Sequence, residues 1–473
     1  MKLPSQPTYS LHEVSSTLHW AAFPVEIRLM ILKEFHREDG KHNLSDWATV
    51  CSEWQAYFEP MNFRNLKLQF PGFDIDEFNS IVCDYRRHLV KKISLHVIIK
   101  EYDTIDRFDK PETNATIKAN NKLFTQALKK LFFSLSTWEA SSSDTGGVEL
   151  WLSASSPSDA DHPWKHRHNF SQPDRNRIYS LNSKQRLLGN LIDVSYNALK
   201  LATVSIITRF SVNQYCYRSL SSTLLVKILS SLSRLRTINY EPWHTVHRSG
   251  ELSRDKAIIK LLDYISKSTT IKSLHLWEAQ SRLHRSPRFL RSTNNDLILS
   301  AVNASYNLNN FTLCHAIDAK YFFQYISQHV SKKPTDALNN LRVWPALRHL
   351  ALTTYIGDLI NPSNLERLLL NASQAALHMP LLKVMELWAP GVGEVFLFRY
   401  EIRKDKAMLT MVASWQLELS KDVVKSWKLV ASYCAQRELA YEIRLVGSES
   451  TTSQSPFAGC FTMRLGKALR EWK

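Results

Sequence analysis

A few places in the chain carry residue types that could do chemistry. Asp144-Thr145-Gly146 is the triplet used by aspartic proteases. That chemistry needs two such carboxylates sharing a proton between apolar flanks. Here Ser141-Ser142-Ser143 precede the triplet, Gly147 follows it, and no second copy occurs, so it reads as a turn ahead of a strand at Val148. His162, His166 and His168 lie close together, but a zinc site needs a fourth ligand on a rigid frame. Their polar, proline-containing surroundings read as a solvated loop, and His244 and His247 read as surface residues. Arg282, Arg285, Arg288 and Arg291 recur every third residue. A helix would gather them into one drifting row, but Pro287 argues for a connector, either solvated or touching an acidic partner or phosphate. The cysteines Cys51, Cys83, Cys216, Cys314, Cys434 and Cys460 form no C-x-x-C pair. They make neither a zinc ribbon nor a disulfide framework and fit a reducing compartment. No phosphate-cradling glycine loop, G-x-S-x-G or H-E-x-x-H is present. The expectation is therefore a non-catalytic chain with no cofactor and no metal, although dispersed catalytic residues leave little local trace.

The elements that would have to position any site come next. The chain has 473 residues, of which 44% are hydrophobic and 22% charged, so a core is available and wholesale disorder is not expected. Its 12 glycines argue against flexible glycine tracts. A net charge of +16 permits acidic partners, but the excess is spread along the chain, and within the arginine series a single Phe289 stands where nucleic-acid binding would want repeated interleaved aromatics. Nucleic acid is accordingly not the expected partner. The N-terminus shows no signal-like apolar core, and no run of eighteen apolar residues could cross a membrane. The expected location is intracellular, cytoplasmic or nuclear.

The strongest local pattern is N-terminal. Phe23-Pro24-Val25-Glu26 opens a helix, with proline at a starting position and an acid in the first turn. Ile27, Ile31 and Phe35 recur every fourth residue, flanked by Met30 and Leu32, giving a wide apolar stripe. A polar connector from His36 to Asn43 follows. From Leu44, helical spacing continues through Trp47, Val50, Trp54 and Tyr57, and Pro60 is expected to stop the run.

Residues 20–62 resemble an F-box. Phe23-Pro24, Ile27, Ile31-Leu32, Leu44, Val50-Cys51 and Trp54 fill the family's places, with Phe23 where the family usually carries leucine and a slightly longer polar gap. The continuation from Phe58 to Leu68 looks like a large fungal group of F-box proteins. The resemblance implies that Phe23, Pro24, Ile27, Ile31, Leu32, Leu44, Val50, Cys51 and Trp54 bind a Skp-type adaptor and, through it, a cullin–RING ubiquitin ligase. The other reading of the same residues is a helical hairpin that caps the domain behind it.

Behind this module an apolar-x-x-apolar-x-apolar template recurs at Leu235-Ile238-Tyr240, Ile271-Leu274-Leu276, Leu308-Phe311-Leu313, Leu347-Leu350-Leu352 and Leu382-Met385-Leu387. Successive starts fall 36, 37, 39 and 35 residues apart. Less regular matches are Phe63-Leu66-Leu68, Val90-Ile93-Leu95 and Leu201-Val204-Ile206, and Val148-Leu150-Leu152 alternates like a strand. Between them lie helical stripes, such as Ile258, Leu261-Leu262 and Ile265. A strand and a helix, repeated, resembles a leucine-rich repeat in an irregular form, since the usual asparagine after the strand is missing. An ordinary α/β domain with evenly spaced strands has the same pattern. Near the C-terminus, Phe396 to Ile402 and Leu409 to Leu417 alternate as a hairpin, Ser420 could cap a helix bearing Val423, Trp427 and Val430, and Tyr441 to Val446 offers another strand.

The expected fold is α/β: an N-terminal tail (1–19), a short helical F-box (20–62), an irregular leucine-rich-repeat-like solenoid (63–390, with a polar loop at 153–186), and a C-terminal α+β cap (391–473). Strand alternation then turns Asn239 and Glu241, His275 and Trp277, Thr312 and Cys314, and Glu386 and Trp388 toward the open side of the sheet. Of these, Glu241, His275, Trp277, Glu386 and Trp388 are the candidate target-binding residues. The two tryptophans either stand free as binding hot spots or fold over a neighbour. The functional expectation is a substrate-recognition subunit of an SCF-type ligase with an unidentified protein target. The alternatives are a basic protein- or nucleic-acid-binding scaffold acting outside a ligase, and a hydrolase with an unrecognised site.

Overall fold

The computed structural model describes residues 20–38, 44–102, 110–139, 146–160, 186, 188, 190–194, 200–214, 216–243, 248–278, 293–330, 344–390 and 394–446. The chain divides into two compact units, Met1–Leu66 with His88–Val90 and Lys67–Arg87 with Lys91–Lys473.

The first unit is helical. A single 3-10 turn (Trp20–Ala22) leads through Pro24 into α1 (Val25–Glu38), followed by α2 (Leu44–Trp47) and α3 (Ser52–Arg64). Glu26 lies in the first turn of α1 and His36 and Arg37 in its last, matching the helix dipole at both ends. A run of rings joins these helices, with Phe58 fully buried and Phe35 still 42% exposed. Trp20, Phe35, Trp47, Trp54 and Phe58 meet at centroid distances of 5.1 to 5.8 Å. Such pairs contribute about 0.5–1.5 kcal/mol each beyond the area they bury. Glu53 of α3 ties the pieces together, accepting from the Trp20 indole N–H at 2.8 Å and from Arg28 at 2.7 Å.

Two expectations change here. The run from Leu44 to Phe58 is broken at Ala48–Cys51, where a turn separates α2 from α3. Pro60 does not end the helix but lies inside α3. Its missing N–H costs one backbone bond. The ring cluster anchored on Trp54 and Phe58, and the Asn62 side chain donating to the Leu44 carbonyl at 3.0 Å, hold the helix on either side of the defect.

The second unit is mixed α/β. Its elements run β1 (Asn65–Phe70), α4 (Asp74–Ile81), α5 (Asp84–Arg87), β2 (Lys92–Ile98), α6 (Asn114–Ser136), β3 (Val148–Ser155), β4 (Ile207–Val212), α7 (Ser222–Ser230), β5 (Thr237–Tyr240) and α8 (Arg248–Lys267). Then come β6 (Ser273–Trp277), α9 (Asn295–Ser305), β7 (Asn310–Cys314), α10 (Ala319–Val330), β8 (His349–Thr353), α11 (Ile356–Leu359), α12 (Pro362–Ala376), β9 (Val384–Pro390), β10 (Val395–Ile402), β11 (Ala407–Ala413), α13 (Lys421–Val430) and β12 (Leu439–Leu445). The described strands form one open sheet in strict chain order, β1 to β12. Every neighbouring pair from β2 to β9 is parallel. The order then changes to antiparallel for β9–β10 and the β10–β11 hairpin, and returns to parallel for β11–β12. Parallel neighbours need a crossover, and a helix supplies it across most of the array.

One face of the sheet carries the core. Ile93 and Leu95, Leu150 and Leu152, Ile238 and Tyr240, Leu274 and Leu276, Phe311 and Leu313, Leu350 and Leu352, and Met385 and Leu387 are all buried. Each such side chain stabilises the fold by about 1.5–3 kcal/mol. Phe311 meets Phe322 of α10 at 6.2 Å, and Phe398 and Tyr400 each meet Trp427 of α13 at 5.0 Å. Successive helices also pack on one another: α7 on α8, α8 on α9, α9 on α10, α10 on α12 and α12 on α13. Several are capped as their sequences suggest. Ser221 accepts from the Leu224 N–H, Asn294 from Leu297 and Ser420 from Val423, each bond worth about 1 kcal/mol.

The fourth strand is not where the template put it. Leu201-Val204-Ile206 contributes only a single bridge, Val204 to Leu232, and the strand proper is Ile207–Val212, with Phe210 paired between Leu150 and Ile238. Gly147, just before β3, has φ +51°, and a Cβ there would sit 2.2 Å from a Thr208 methyl. Only glycine meets both demands. Past the end of β3, Arg218 is a buried cation that reaches Asp159 at 3.4 Å and Glu112 at 3.5 Å and donates to the Arg186 carbonyl at 2.6 Å. The Tyr102 hydroxyl donates to the same Asp159 at 2.8 Å. Among the described residues, no helix is long and apolar enough to cross a membrane.

Candidate functional site

Two surfaces hold the residues picked out from sequence, one in each unit. On the helical unit, the side chains of α1 divide around its axis. Leu32 is fully buried, Ile31 and Phe23 are half-buried, and Ile27 is 40% exposed. Val25, Leu29 and Met30 are also exposed, Met30 by 66%. Val25 and Leu29 are four residues apart and Ile27 and Met30 three apart, so each pair forms a short apolar row. Val50 and Cys51 lie exposed in the turn before α3, Pro24 is exposed and Leu44 is half-buried. Trp54 stands apart from these, because its ring packs on Trp20, Phe35 and Phe58 inside the module. Of the sequence-picked residues, Leu32 and Trp54 therefore build the module, and Pro24, Ile27, Val50 and Cys51 face outward. Val25, Leu29 and Met30 are not among the residues that the F-box resemblance assigns to the adaptor, although Met30 belongs to the apolar stripe read from the sequence. The signal for them was present, since α1 carries more apolar residues than one buried stripe can absorb.

On the second unit the relevant surface is the open face of the sheet. Strand register lines up Asn239, His275, Thr312, Ala351, Glu386, Arg399, Thr410 and Glu442 in one row across β5 to β12. Part of this row is a hydrogen-bonded ladder. Asn239 donates to Ser211 Oγ at 3.1 Å, and Ser211 donates to Glu149 at 2.8 Å. Arg399 bridges Glu386 and Glu401, at 3.0 Å to each. Burial pushes the Glu386 carboxyl up, and Arg399 partly offsets it. Burial also holds the Glu241 carboxyl above its ordinary value, while it accepts from the Gln214 N–H at 3.0 Å. His275 lies 4.0 Å from Glu241, and burial pushes its pKa down to about 4, so it is neutral near pH 7.

Two residues beyond this row, on the same face, the rings gather. Trp277 of β6 and Trp388 of β9 stack at 5.0 Å, with the His315 ring edge-on to both at 5.3 Å. The two tryptophans belong to strands three apart. They meet over Cys314 of β7 and Thr353 of β8, whose small side chains leave room. His315 adopts φ 62°, in the left-handed region, and its N–H donates to Thr353 Oγ1 at 2.7 Å. Trp277 also packs against the cluster of Leu188, Tyr217 and Trp243, and Trp243 donates from its indole N–H to the Gln214 carbonyl at 2.7 Å. Trp388 is covered, at 3% exposure, and packs with Cys314 and Leu397. So the tryptophan pair folds together, and Trp277 is the more accessible ring. The register thus brings Glu241, His275, Trp277, Glu386 and Trp388 onto one face, with Arg399, His315, Tyr217 and Trp243 as members that spacing had not nominated. Arg399 was legible as the outward residue of the alternating β10.

Among the described residues no group of three or more histidine, cysteine or acidic side chains could hold a metal ion. Cys216 is buried and its thiol is pushed up by desolvation, the opposite of nucleophile activation. Asp144, Thr145, the histidines 162, 166, 168, 244 and 247, and the arginine series from 282 to 291 lie outside the described residues. The two surfaces differ in character: one is a set of exposed apolar side chains on α1, the other a sheet face of paired charges with an aromatic border.

Residues 266–460 match a family of unknown function, DUF6546. The match covers less than half of the chain and takes in β6 to β12, so the chain is similar to that family over its C-terminal strands. No curated protein and no solved structure matches it.

Proposed function

We propose that this chain is the target-recognition subunit of an SCF-type cullin–RING ubiquitin ligase. Its helical unit is an F-box that docks a Skp-type adaptor. Its sheet unit is an irregular leucine-rich-repeat-like solenoid whose open face takes a protein target. The observation that carries this reading is the exposure of Val25, Ile27, Leu29 and Met30 on a helix whose module already closes around the buried Leu32 and Phe58. A module of this size leaves such side chains in water only at a cost, and a partner removes it. The F-box-like residue pattern names the partner class. For the second half of the reading, support comes from strict chain-order pairing of parallel strands with helices between them, as stacked repeats require. On this reading the protein acts inside the cell and contributes proximity, holding a target near a ubiquitin-loaded enzyme without supplying a nucleophile.

Co-expression with a Skp-type adaptor tests the proposal. The wild-type chain is expected to co-purify with the adaptor, and Ile27→Asp/Met30→Asp is expected to lose it while keeping its circular dichroism spectrum. Failure of the wild type to retain the adaptor, or equal retention by the variant, overturns the reading.

A further inference from the structure

β12 is the last strand of the sheet, and among the described residues no strand pairs with its outer side. Edges of this kind template further pairing unless lysine, proline or a bulge guards them. The strand at the other end, β1, carries Lys67 and runs into Pro71. β12 has the sequence Leu439-Ala440-Tyr441-Glu442-Ile443-Arg444-Leu445, without lysine or proline, and its register with β11 is uninterrupted. Its side chains sort into two faces. Glu442 and Arg444 share the open face and bond to each other at 2.6 Å. Tyr441, Ile443 and Leu445 share the other face and are 52%, 38% and 68% exposed. The backbone sorts too. The Ala407 N–H donates to the Glu438 carbonyl and the Val446 N–H to the Ala413 carbonyl, so even-numbered residues of β12 bond to β11. Tyr441, Ile443 and Leu445 therefore aim their N–H and C=O groups away from the sheet.

We propose that two copies of this chain join edge to edge through antiparallel β12 strands, with a two-fold axis at Ile443. The charges select that register. With the axis at Ile443, each Glu442 faces Arg444 of the second copy, at the position where antiparallel neighbours approach most closely. Tyr441 faces Leu445 of the second copy, and Ile443 faces its own equivalent, so the outward N–H and C=O groups of all three residues find partners. An axis at Glu442 or Arg444 would set like charges opposite each other. The segment is thus self-complementary in backbone, charge and apolar side chains, as a two-fold interface demands. The product is one sheet running through both molecules. In the ligase reading this doubles the adaptor and target sites, but the inference does not depend on that reading.

Light scattering on the full chain at micromolar concentration tests it, with circular dichroism as the check on folding. The wild type is expected at twice the chain mass, and Ile443→Lys at the mass of one chain. Glu442→Arg and Arg444→Glu are each expected to be monomeric, because each makes the strand uniformly charged. Mixed in equal amounts, they are expected to recover the dimer, since the all-positive strand then faces the all-negative one. The mixture does not restore the Glu442–Arg444 pair within either chain, so recovery reports only the contact between chains. A monomeric wild type, a dimer that survives Ile443→Lys, or a mixture that stays monomeric overturns the proposal.

Discussion

Lowering the pH is expected to destabilise the sheet unit through one side chain. His275 sits in the middle of the open face, its side chain 14% exposed, and burial brings its pKa down from 6.5 to about 4. The folded state therefore resists a proton that the unfolded chain accepts. A depressed folded pKa contributes stability that is complete above the unfolded value and is lost as pH falls toward the folded one. The window is thus about pH 6.5 to 4. With those two values, linkage gives a loss of about 2 kcal/mol at pH 5 and about 3 kcal/mol once pH is below 4. Glu241 stands 4.0 Å away, but its own carboxyl is pushed up by burial, so it is a weak counter-ion in the same range. The perturbation to compare is His275→Gln, which keeps a polar side chain but cannot be protonated. Urea unfolding of both proteins at pH 7.5 and pH 5 isolates the proton, because the cost of the substitution itself cancels between the two pH values. The wild type is expected to lose about 2 kcal/mol more than the variant over that interval. Equal losses would refute the argument and mean that the site is open to water or that Glu241 takes up the charge.

Other consequences follow from the same packing. Trp388→Ala should cost about 3–5 kcal/mol in urea unfolding, because the ring is almost wholly covered by Trp277, Leu397 and its neighbours. Trp277→Ala should cost less, the ring being only partly buried, so the order of the two midpoints is the check. Arg218→Met should cost about 3–5 kcal/mol, since it strands Asp159 and Glu112 inside with Arg186 as the remaining cation near them. The same measurement on Asp159→Asn/Arg218→Met should give less than the sum of the two single changes, because one charge of the cluster leaves with the other.

Much of this architecture was legible in the residues. The even spacing of Leu235, Ile271, Leu308, Leu347 and Leu382 marks β5 to β9, because a parallel strand with one face on a helix layer must repeat its apolar pair. The hairpin of β10 and β11 shows as alternation, although its second arm ends at Ala413, short of Trp415 and Leu417, and Ser420 shows as a cap. The failures have physical causes. The template found Leu201-Val204-Ile206 because it scores apolar positions, yet Phe210 is the residue that lies in register with Leu150 and Ile238. Pro60 looks like a stop in the sequence because the local rule sees the lost hydrogen bond and not the ring cluster beside it. Among site residues, alternation correctly set His275, Trp277, Glu386 and Trp388 on one face. It could not reveal that Trp277 and Trp388, over a hundred residues apart, would stack across two intervening strands. That depends on Cys314 and Thr353 being small and in line with them. Leu32 and Trp54 follow the same logic: pattern says which residues are apolar, and only packing says which of them the module keeps for itself.

The central claim is that the exposed apolar side chains of α1 exist to be covered by an adaptor. Calorimetric titration of a Skp-type adaptor into the full chain tests this most directly. The account predicts saturable one-to-one binding, weakened about a hundredfold or more, roughly 3 kcal/mol, by Ile27→Asp/Met30→Asp. Leu381→Asp, an equally exposed leucine on the sheet unit, should bind as the wild type does. Absence of binding by the wild type, or an equal effect of both substitutions, would contradict it.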